Sequence, residues 1–172
     1  MSAPVVAAVG GSFLIEDRTP DEVFTPEDFT EEQVMIGQTA DEFMDKELMP
    51  RLPELLKLDY DLNRQLLLKA GEVGLLGVEV PEEYGGLGLD KVSGCLVAER
   101  QGRDGSWATT FAVQVGIGTL PIVYFGTEEQ KKKYVPKLVT GELVSSYSLS
   151  EASSASDAMN AKARAVLSED GK

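Results

Sequence analysis

The sequence has no histidine and a single cysteine, Cys95, among its 172 residues. Without histidine, Ser-His and Cys-His nucleophile pairs cannot form within the chain, and the commonest metal ligand is missing. One cysteine can form neither an intrachain disulfide nor a thiolate metal cluster, which fits a reducing compartment. Because Cys95 stands among Val92, Leu96 and Val97, we expect it to be a small buried core residue. We expect no metal site.

Basic residues are also scarce, with 16 Lys and Arg against 29 Asp and Glu and a net charge of −13. So acidic a chain lacks the basic face that nucleic acids and anionic membranes require, so we expect neither as a partner. Residues 1–9 carry no basic residue, and we find no apolar run long enough to span a membrane. We expect a cytoplasmic bacterial protein, or a mitochondrial matrix protein if the source is eukaryotic, although no transit peptide is visible.

Helical patterns fill the chain between residues 26 and 140, and 42% of all residues are hydrophobic, as in globular proteins. Thr30 followed by Gln33, and Thr127 followed by Gln130, are typical of capping boxes at helix starts. The predicted helices cover residues 26–50, 62–73, 92–101, 106–124 and 127–138.

Two of these helices indicate which face is buried. In the first, Val34, Phe43 and Leu48 recur with a helical period. In the second, four apolar residues share one face, and glycines mark its end. The four are Leu62, Leu66, Leu67 and Ala70.

After residue 140 the periodicity changes from helical to alternating. Residues 142–149 predict one strand and residues 161–166 a second. A lone hairpin is not stable by itself, so the pattern favours the beginning of a β domain that this sequence leaves unfinished. We therefore predict an arm (1–25), a helical domain (26–140) and the start of a β domain (141–172).

The stretch SYSLSEASSASD, residues 146–157, is called the serine segment here because six of its twelve residues are serine. Such a composition is typical of a flexible polar linker, or of a binding loop whose hydroxyls face a ligand. Composition alone leaves both alternatives open.

Three stretches of the chain resemble landmarks of the acyl-CoA dehydrogenase family, in the family's order. They are GLLG…PEEYGGLG in 74–88, FGTEEQK…YVPKL…GE in 125–142, and LSE…SD in 149–157. The resemblance covers nearly all of residues 26–172. The arm over Gly10–Phe29 is most similar to the long-chain and very-long-chain branch.

The resemblance implies a helical N-terminal domain followed by the first strands of a central β-barrel domain, with a C-terminal helical bundle beyond. It implies FAD as cofactor and oxidation of the Cα–Cβ bond of a fatty acyl-CoA to the trans-2-enoyl-CoA. It also implies an electron-transfer flavoprotein as acceptor and a homo-oligomeric full-length enzyme. The family's catalytic carboxylate lies in the C-terminal bundle, so no catalytic residue is expected in this chain, which by itself should be inactive.

The resemblance assigns flavin contacts to the serine segment: Tyr147, Ser148, Leu149, Ser150 and Ser156. Ser150 stands where threonine is usual, and serine keeps the hydroxyl that bonds the flavin's pyrimidine edge. Ser156 matches a serine that contacts FAD or the CoA part of the substrate. Ala155 replaces a usual glycine, which would strain the loop by roughly 1 kcal/mol if a positive φ were needed there.

Gly116 and Gly118 interrupt an apolar helix, and they are substrate-binding candidates because their missing side chains leave room for an acyl tail. Close helix packing or a kink is the equally weighted alternative. Trp107 is expected to be a core or interface aromatic rather than a substrate contact. The competing function for the whole chain is a non-catalytic helical module that binds a partner or an acyl ligand.

Overall fold

The computed structural model describes Gly11 and residues 14–171 of the chain. Residues 1–10, 12, 13 and 172 lie outside the described part, and so does about half of the predicted arm at 1–25. The part of the Gly10–Phe29 resemblance that falls on residues 10, 12 and 13 therefore also lies outside the described residues.

The described residues form a helical domain, as predicted. Its α-helices are α1 (Glu31–Phe43), α2 (Leu52–Leu55), α3 (Tyr60–Glu72), α4 (Lys91–Gln101), α5 (Gly105–Ala112), α6 (Leu120–Phe125) and α7 (Glu128–Val139). A π-helical segment, Met44–Leu48, and a 3-10 turn, Met49–Arg51, continue α1 into α2. The helical path thus runs past Pro50 and Pro53, where the sequence predicted its end.

A second π-helical segment, Val113–Thr119, joins α5 and α6 into one continuous helix, Gly105–Phe125. By length and composition this helix could cross a membrane, so the expectation that no apolar run was long enough is wrong. Core helices of soluble proteins meet the same criterion. Here Trp107, Phe111 and Gln114 are buried against the rest of the domain.

The predicted capping boxes are both present. The Thr30 hydroxyl accepts from the Gln33 amide N–H at 3.2 Å, and the Gln33 side chain accepts from the Thr30 N–H at 3.0 Å. Thr127 and Gln130 make the equivalent pair at the start of α7. Each box pairs two of the backbone N–H donors that a helix start leaves without intrahelical partners.

The main core lies between α1, α3, α4 and α5. The predicted face of α3 is confirmed, because Leu62, Leu66, Leu67 and Ala70 are each at most 1% exposed. Val34, however, is 42% exposed. Helix α1 instead buries positions spaced by three and four residues on a neighbouring face: Gln33, Ile36, Gly37, Ala40 and Phe43.

The prediction that Cys95 is a core residue is wrong, since its side chain is exposed. Helix α4 buries Ser93, Leu96, Val97 and Gln101. Cys95 is two residues from both Ser93 and Val97, which on an α-helix is about 200° around the axis. It therefore points away from the core, although its sequence neighbours are apolar.

The glycine-rich stretch 74–90 folds into a compact loop with two short 3-10 turns, Leu75–Gly77 and Glu82–Tyr84. Its two arms are joined by backbone hydrogen bonds from Leu87 N to Gly77 O (2.9 Å) and from Leu89 N to Val78 O (2.8 Å). A smaller core cluster forms where the loop meets α6 and α7, and it contains Val80, Tyr84, Val123, Val135 and Val139. The loop is thus part of the packed domain.

The strands predicted at 142–149 and 161–166 are not present in the described part of the chain. Residues 144–150 and 161–168 have no regular secondary structure, and the pairing there is an isolated bridge between Glu151 and Ser154. A strand forms only where a neighbour satisfies its backbone groups. At 143–145 that neighbour is the side chain of Gln114, not a second strand.

Candidate functional site

The serine segment follows α7 through a tight turn that packs on α3. Gly141 has a φ of +76°, and a Cβ placed there would lie 2.7 Å from the carbonyl oxygen of Leu67. Glycine at this position therefore lets the chain both turn and approach α3 closely. The turn fixes the direction in which residues 142–157 leave the helical domain.

A second anchor holds the chain just before the serine segment. Gln114, which is 1% exposed, donates from Nε2 to the carbonyl oxygens of Leu138 and Leu143, both at 2.9 Å. Its Oε1 accepts from the backbone N–H of Ser145 at 2.8 Å and from the Ser145 hydroxyl at 3.0 Å. The serine segment thus begins directly after Ser145, which is hydrogen-bonded to Gln114 in the middle of the Gly105–Phe125 helix.

The serine segment is closed by its own hydrogen bonds. Glu151 and Ser154 exchange backbone bonds at 2.8 and 3.2 Å. The Glu151 carboxylate accepts from the Ser153 hydroxyl at 2.8 Å and from the amides of Lys162 and Ala163, the latter at 2.7 Å. These donors, the Lys162 amide first, hold the pKa of Glu151 below its ordinary value. This pattern favours a binding loop over a flexible linker.

The predicted contact residues are all on the surface of this loop: Tyr147, Ser148, Leu149, Ser150 and Ser156 are exposed. The hydroxyls of Ser148, Ser150 and Ser156 make no hydrogen bond to any other described residue. Their donors and acceptors are therefore available to a ligand. This donor set fits the pyrimidine edge of a flavin, which alternates carbonyl oxygens and ring nitrogens.

Ala155 carries no backbone strain of the kind considered above. Among the described residues other than glycine, Leu58 alone has a positive φ. The loop therefore reaches its conformation without a left-handed residue at position 155, and the substitution of alanine for glycine costs nothing through φ in this arrangement.

The two candidate glycines have different surroundings. A Cβ on Gly116 would meet nothing within 4 Å, whereas a Cβ on Gly118 would lie 2.0 Å from Ser145 Oγ and 2.5 Å from Ser145 Cβ. At Gly118 the free volume is occupied by Ser145, which favours close packing there. At Gly116 the space is open, which leaves room for a ligand.

Trp107 belongs to the core, as expected. It is fully buried, its Nε1 donates to Gln101 Oε1 at 2.6 Å, and its ring lies 5.6 Å from the ring of Phe43 and 6.1 Å from that of Phe111. The indole therefore holds α4, α5 and α1 together and is not available to a substrate.

Tyr84 links the glycine-rich loop to α7. Its hydroxyl donates to Glu128 Oε2 at 2.8 Å, and this bond to a carboxylate raises the pKa of Tyr84 to about 12. The same bond, with a contribution from Lys131, lowers the pKa of Glu128. The ammonium of Lys131 also lies 5.9 Å from the centre of the Tyr84 ring.

Sequence reasoning missed Gln114, Ser145 and Glu151, although each holds the serine segment in place. A glutamine in an apolar helix and a glutamate in a serine-rich loop are ordinary surface residues in a sequence. The one available signal is Gln114 itself, which is the only amide side chain between Gln101 and Gln130.

Comparison with known proteins agrees with this fold. The family described as acyl-CoA dehydrogenase, N-terminal domain, matches residues 30–142. A probable acyl-CoA dehydrogenase of Bacillus subtilis (strain 168) is 51% identical over 162 residues, which are 94% of this chain and 27% of that protein.

Two solved structures extend the comparison. An acyl-CoA dehydrogenase complexed with FAD, from Bacillus anthracis, has a TM-score of 0.85 and 54% identity, over 94% of this chain and 28% of that one. A chain in the structure described as the electron transferring flavoprotein of Acidaminococcus fermentans has a TM-score of 0.73 and 38% identity, over 85% of this chain and 38% of that one.

The chain thus spans less than a third of the length of the two Bacillus proteins. The family match, however, covers most of the helical domain, including α1 to α7. On this match and on the fold, the chain belongs to the acyl-CoA dehydrogenase family and carries its N-terminal domain.

Proposed function

We propose that this chain is the N-terminal part of an FAD-dependent enzyme that oxidises the Cα–Cβ bond of a fatty acyl-CoA to the trans-2-enoyl-CoA. Membership of the acyl-CoA dehydrogenase family supports the reaction class, and the Bacillus anthracis relative is described as complexed with FAD. The observation that carries the proposal is the serine segment, an internally bonded loop whose exposed hydroxyls at Ser148, Ser150 and Ser156 have no partner in the described chain.

In this proposal Tyr147, Ser148, Leu149, Ser150 and Ser156 contact the flavin. When bound, FAD accepts the hydride that leaves the acyl chain. The side chains of Tyr147 and Leu149, which are 56% and 37% exposed, offer apolar surface to the ring. The Ser150 hydroxyl donates to its pyrimidine edge, where a fixed donor stabilises the negative charge that reduction brings.

The substrate lies beside the same segment. Ser156 contacts the CoA part or the cofactor, and the open space over Gly116 is the better of the two glycine positions for an acyl tail. A preference for long chains remains a proposal, supported by the resemblance of Gly10–Phe29. Its test is the ratio of kcat/KM between palmitoyl-CoA and butyryl-CoA in the natural protein that carries this chain.

Other parts of the proposal concern the rest of the enzyme. No residue of 1–172 is proposed as the catalytic base, so this stretch alone should not oxidise acyl-CoA. The likeness to a chain in the Acidaminococcus fermentans flavoprotein structure supports an electron-transfer flavoprotein as acceptor. We also propose that the natural protein that carries this chain is a homo-oligomer and that it is located in the cytoplasm.

Ser150→Ala in the natural protein tests the flavin contact. Removal of one hydroxyl that bonds the cofactor should weaken flavin retention or slow its reduction by about three- to tenfold. Retention is measured by equilibrium dialysis against free FAD, and reduction by anaerobic stopped-flow absorbance. Ser106→Ala, at an exposed serine of α5, is the control and should change neither value. Unchanged retention and reduction in Ser150→Ala would remove Ser150 from the site.

A further inference from the structure

The stretch before the serine segment, residues 138–145, is hydrogen-bonded to the side chain of Gln114. In the described part of the molecule no other side chain makes as many hydrogen bonds to this stretch. The amide nitrogen faces two carbonyl oxygens, of Leu138 and Leu143, and the amide oxygen faces the N–H and the hydroxyl of Ser145. Backbone carbonyls accept and a backbone N–H donates, so this pattern admits one orientation of the amide. All four hydrogen-bonding positions of the amide are used.

Two of the groups that Gln114 satisfies have no other hydrogen-bond partner among the described residues, namely the carbonyl oxygen of Leu143 and the N–H of Ser145. The carbonyl oxygen of Leu138, in the last turn of α7, also accepts from the Gly141 N–H at 3.2 Å, and residues 143–145 belong to no strand. Backbone groups that belong to no helix or strand need partners from elsewhere, and Gln114 supplies them from a side chain that is 1% exposed. The Gln114 side chain thus supplies hydrogen bonds to this stretch that a neighbouring strand would supply in a sheet.

The helix geometry brings a second feature to the same place. Gln114 and Gly118 are four residues apart in the π-helical segment Val113–Thr119, and both contact Ser145. The absent side chain of Gly118 leaves the volume that Ser145 fills, with only 2.0 Å between its Oγ and a Cβ placed on Gly118. Isolated π-helical turns are rare and occur often at functional sites.

We infer that Gln114 is a positioning residue for the proposed flavin contacts: it fixes Ser145, and through Ser145 the place at which residues 147–150 meet the cofactor. Because a residue spans at most about 3.6 Å of chain, Tyr147 lies within roughly 7 Å of the anchored Ser145. The far side of the loop is fixed separately, by the bonds of Glu151 to Lys162 and Ala163. This inference rests on the proposed function, and it adds a residue that touches neither flavin nor substrate.

Gln114→Met tests the inference, because methionine keeps the length of the side chain and removes all four hydrogen bonds. Gln101→Met is the matched control. Gln101 is also 1% exposed, and it bonds Trp107 and Ala40 instead of the 138–145 stretch. Both variants lose a buried amide, so any general loss of stability affects both.

The first measurement is amide hydrogen exchange of the 172-residue chain, read for residues 143–150 relative to α3. In Gln114→Met we expect exchange over 143–150 to be at least about tenfold faster while α3 stays protected. In Gln101→Met the exchange rate of residues 143–150, taken relative to that of α3, should be the same as in the wild type. Equal exchange of 143–150 in the wild type and in folded Gln114→Met, or an equal increase in both variants, would overturn the inference.

Ser145→Ala decides the matter if Gln114→Met does not fold. It removes one of the hydrogen bonds to Gln114 Oε1 and leaves the backbone bond and the core in place. We expect a smaller increase in exchange confined to residues 143–150. No increase in a folded Ser145→Ala would count against the anchor.

The second measurement is the visible absorption spectrum and dissociation rate of FAD in the natural protein. Gln114→Met should shift the flavin band and raise the dissociation rate by at least about threefold, whereas Gln101→Met should leave the spectrum unchanged. A wild-type protein that holds no FAD would refute the proposed function, and the exchange experiment would then still decide whether Gln114 anchors the loop. A flavin spectrum unchanged by Gln114→Met would refute the positioning role alone.

Discussion

Gly116 and Gly118 lie two residues apart in one π-helical segment, but only one of them is in contact with a neighbouring segment. The space over Gly118 is filled by Ser145, and the space over Gly116 is open. The sequence left two explanations open for these glycines, room for an acyl tail and close helix packing. The difference in their surroundings separates the two explanations. Structure favours packing at position 118 and leaves room at position 116.

Gly118→Ala should destabilise the chain by about 1–3 kcal/mol, because the new methyl group overlaps both side-chain atoms of Ser145. Gly116→Ala is the matched control and should be neutral or stabilising by up to about 1 kcal/mol, since alanine favours helix and the site is open. Urea unfolding of both variants measures the difference. Equal stability of the two variants would contradict the described packing of Ser145.

The bond between Tyr84 and Glu128 makes stability depend on pH at both ends of the range. The pKa of Tyr84 is raised from 10.0 to about 12, so the stability it contributes is complete below pH 10 and is lost as the pH rises towards 12. The pKa of Glu128 is lowered from 4.5, so its contribution is complete above that value and is lost in more acidic solution.

Tyr84→Phe removes the hydroxyl and should lower stability at neutral pH, because Glu128 loses its main partner. The gap in unfolding free energy between wild type and variant should be widest near neutrality and should narrow between pH 10 and 12. Denaturant unfolding at several pH values measures it. Tyr134→Phe, at a tyrosine that is 38% exposed, is the control. A gap that stays constant from pH 7 to 12 would contradict the assigned bond.

At the scale of elements, the two capping boxes at Thr30 and Thr127 are alike in sequence but differ in surroundings. Gln33 is 6% exposed, and besides capping α1 its Nε2 donates to Asp90 Oδ2 at 2.8 Å. Asp90 in turn caps α4 through the Ser93 N–H at 2.8 Å. The box at Thr127 and Gln130 is exposed and caps α7 alone.

Gln33→Ala should therefore cost more stability than Gln130→Ala. We expect about 2–3 kcal/mol for the buried glutamine, which links two helix starts, and about 0.5–1 kcal/mol for the exposed one. Thermal and chemical unfolding of the two variants provide the comparison. If the two losses were equal, the hydrogen bond between Gln33 and Asp90 would contribute nothing.

Local patterns allowed most helices to be predicted, and long-range contacts account for the errors. The Thr30 and Thr127 caps and the buried face of α3 depend on residues within one turn of each other, so the sequence contains the needed information. Cys95 was misplaced because its apolar neighbours did not reveal which side of α4 faces α1. The strand predicted at 142–149 failed because its backbone partners come from Gln114, about thirty residues earlier.

For the whole molecule, the candidate site depends on parts of the helical domain that are distant in sequence. Helix α3 holds the turn at Gly141, the π-helical segment holds Ser145, and Glu151 closes the loop. The serine segment itself was recognisable from its residues, by resemblance. Its supports were not, because a buried glutamine and a loop glutamate have no distinct pattern in a sequence.

The central claim, that residues 147–156 belong to the flavin site of an acyl-CoA dehydrogenase, has one direct test. The natural protein that carries this chain is purified, its visible absorption is recorded, and palmitoyl-CoA is added without oxygen. We predict bound FAD whose absorption is bleached by the substrate, and slower bleaching in Ser150→Ala. A protein that retains no flavin, or whose flavin no fatty acyl-CoA reduces, would contradict the account.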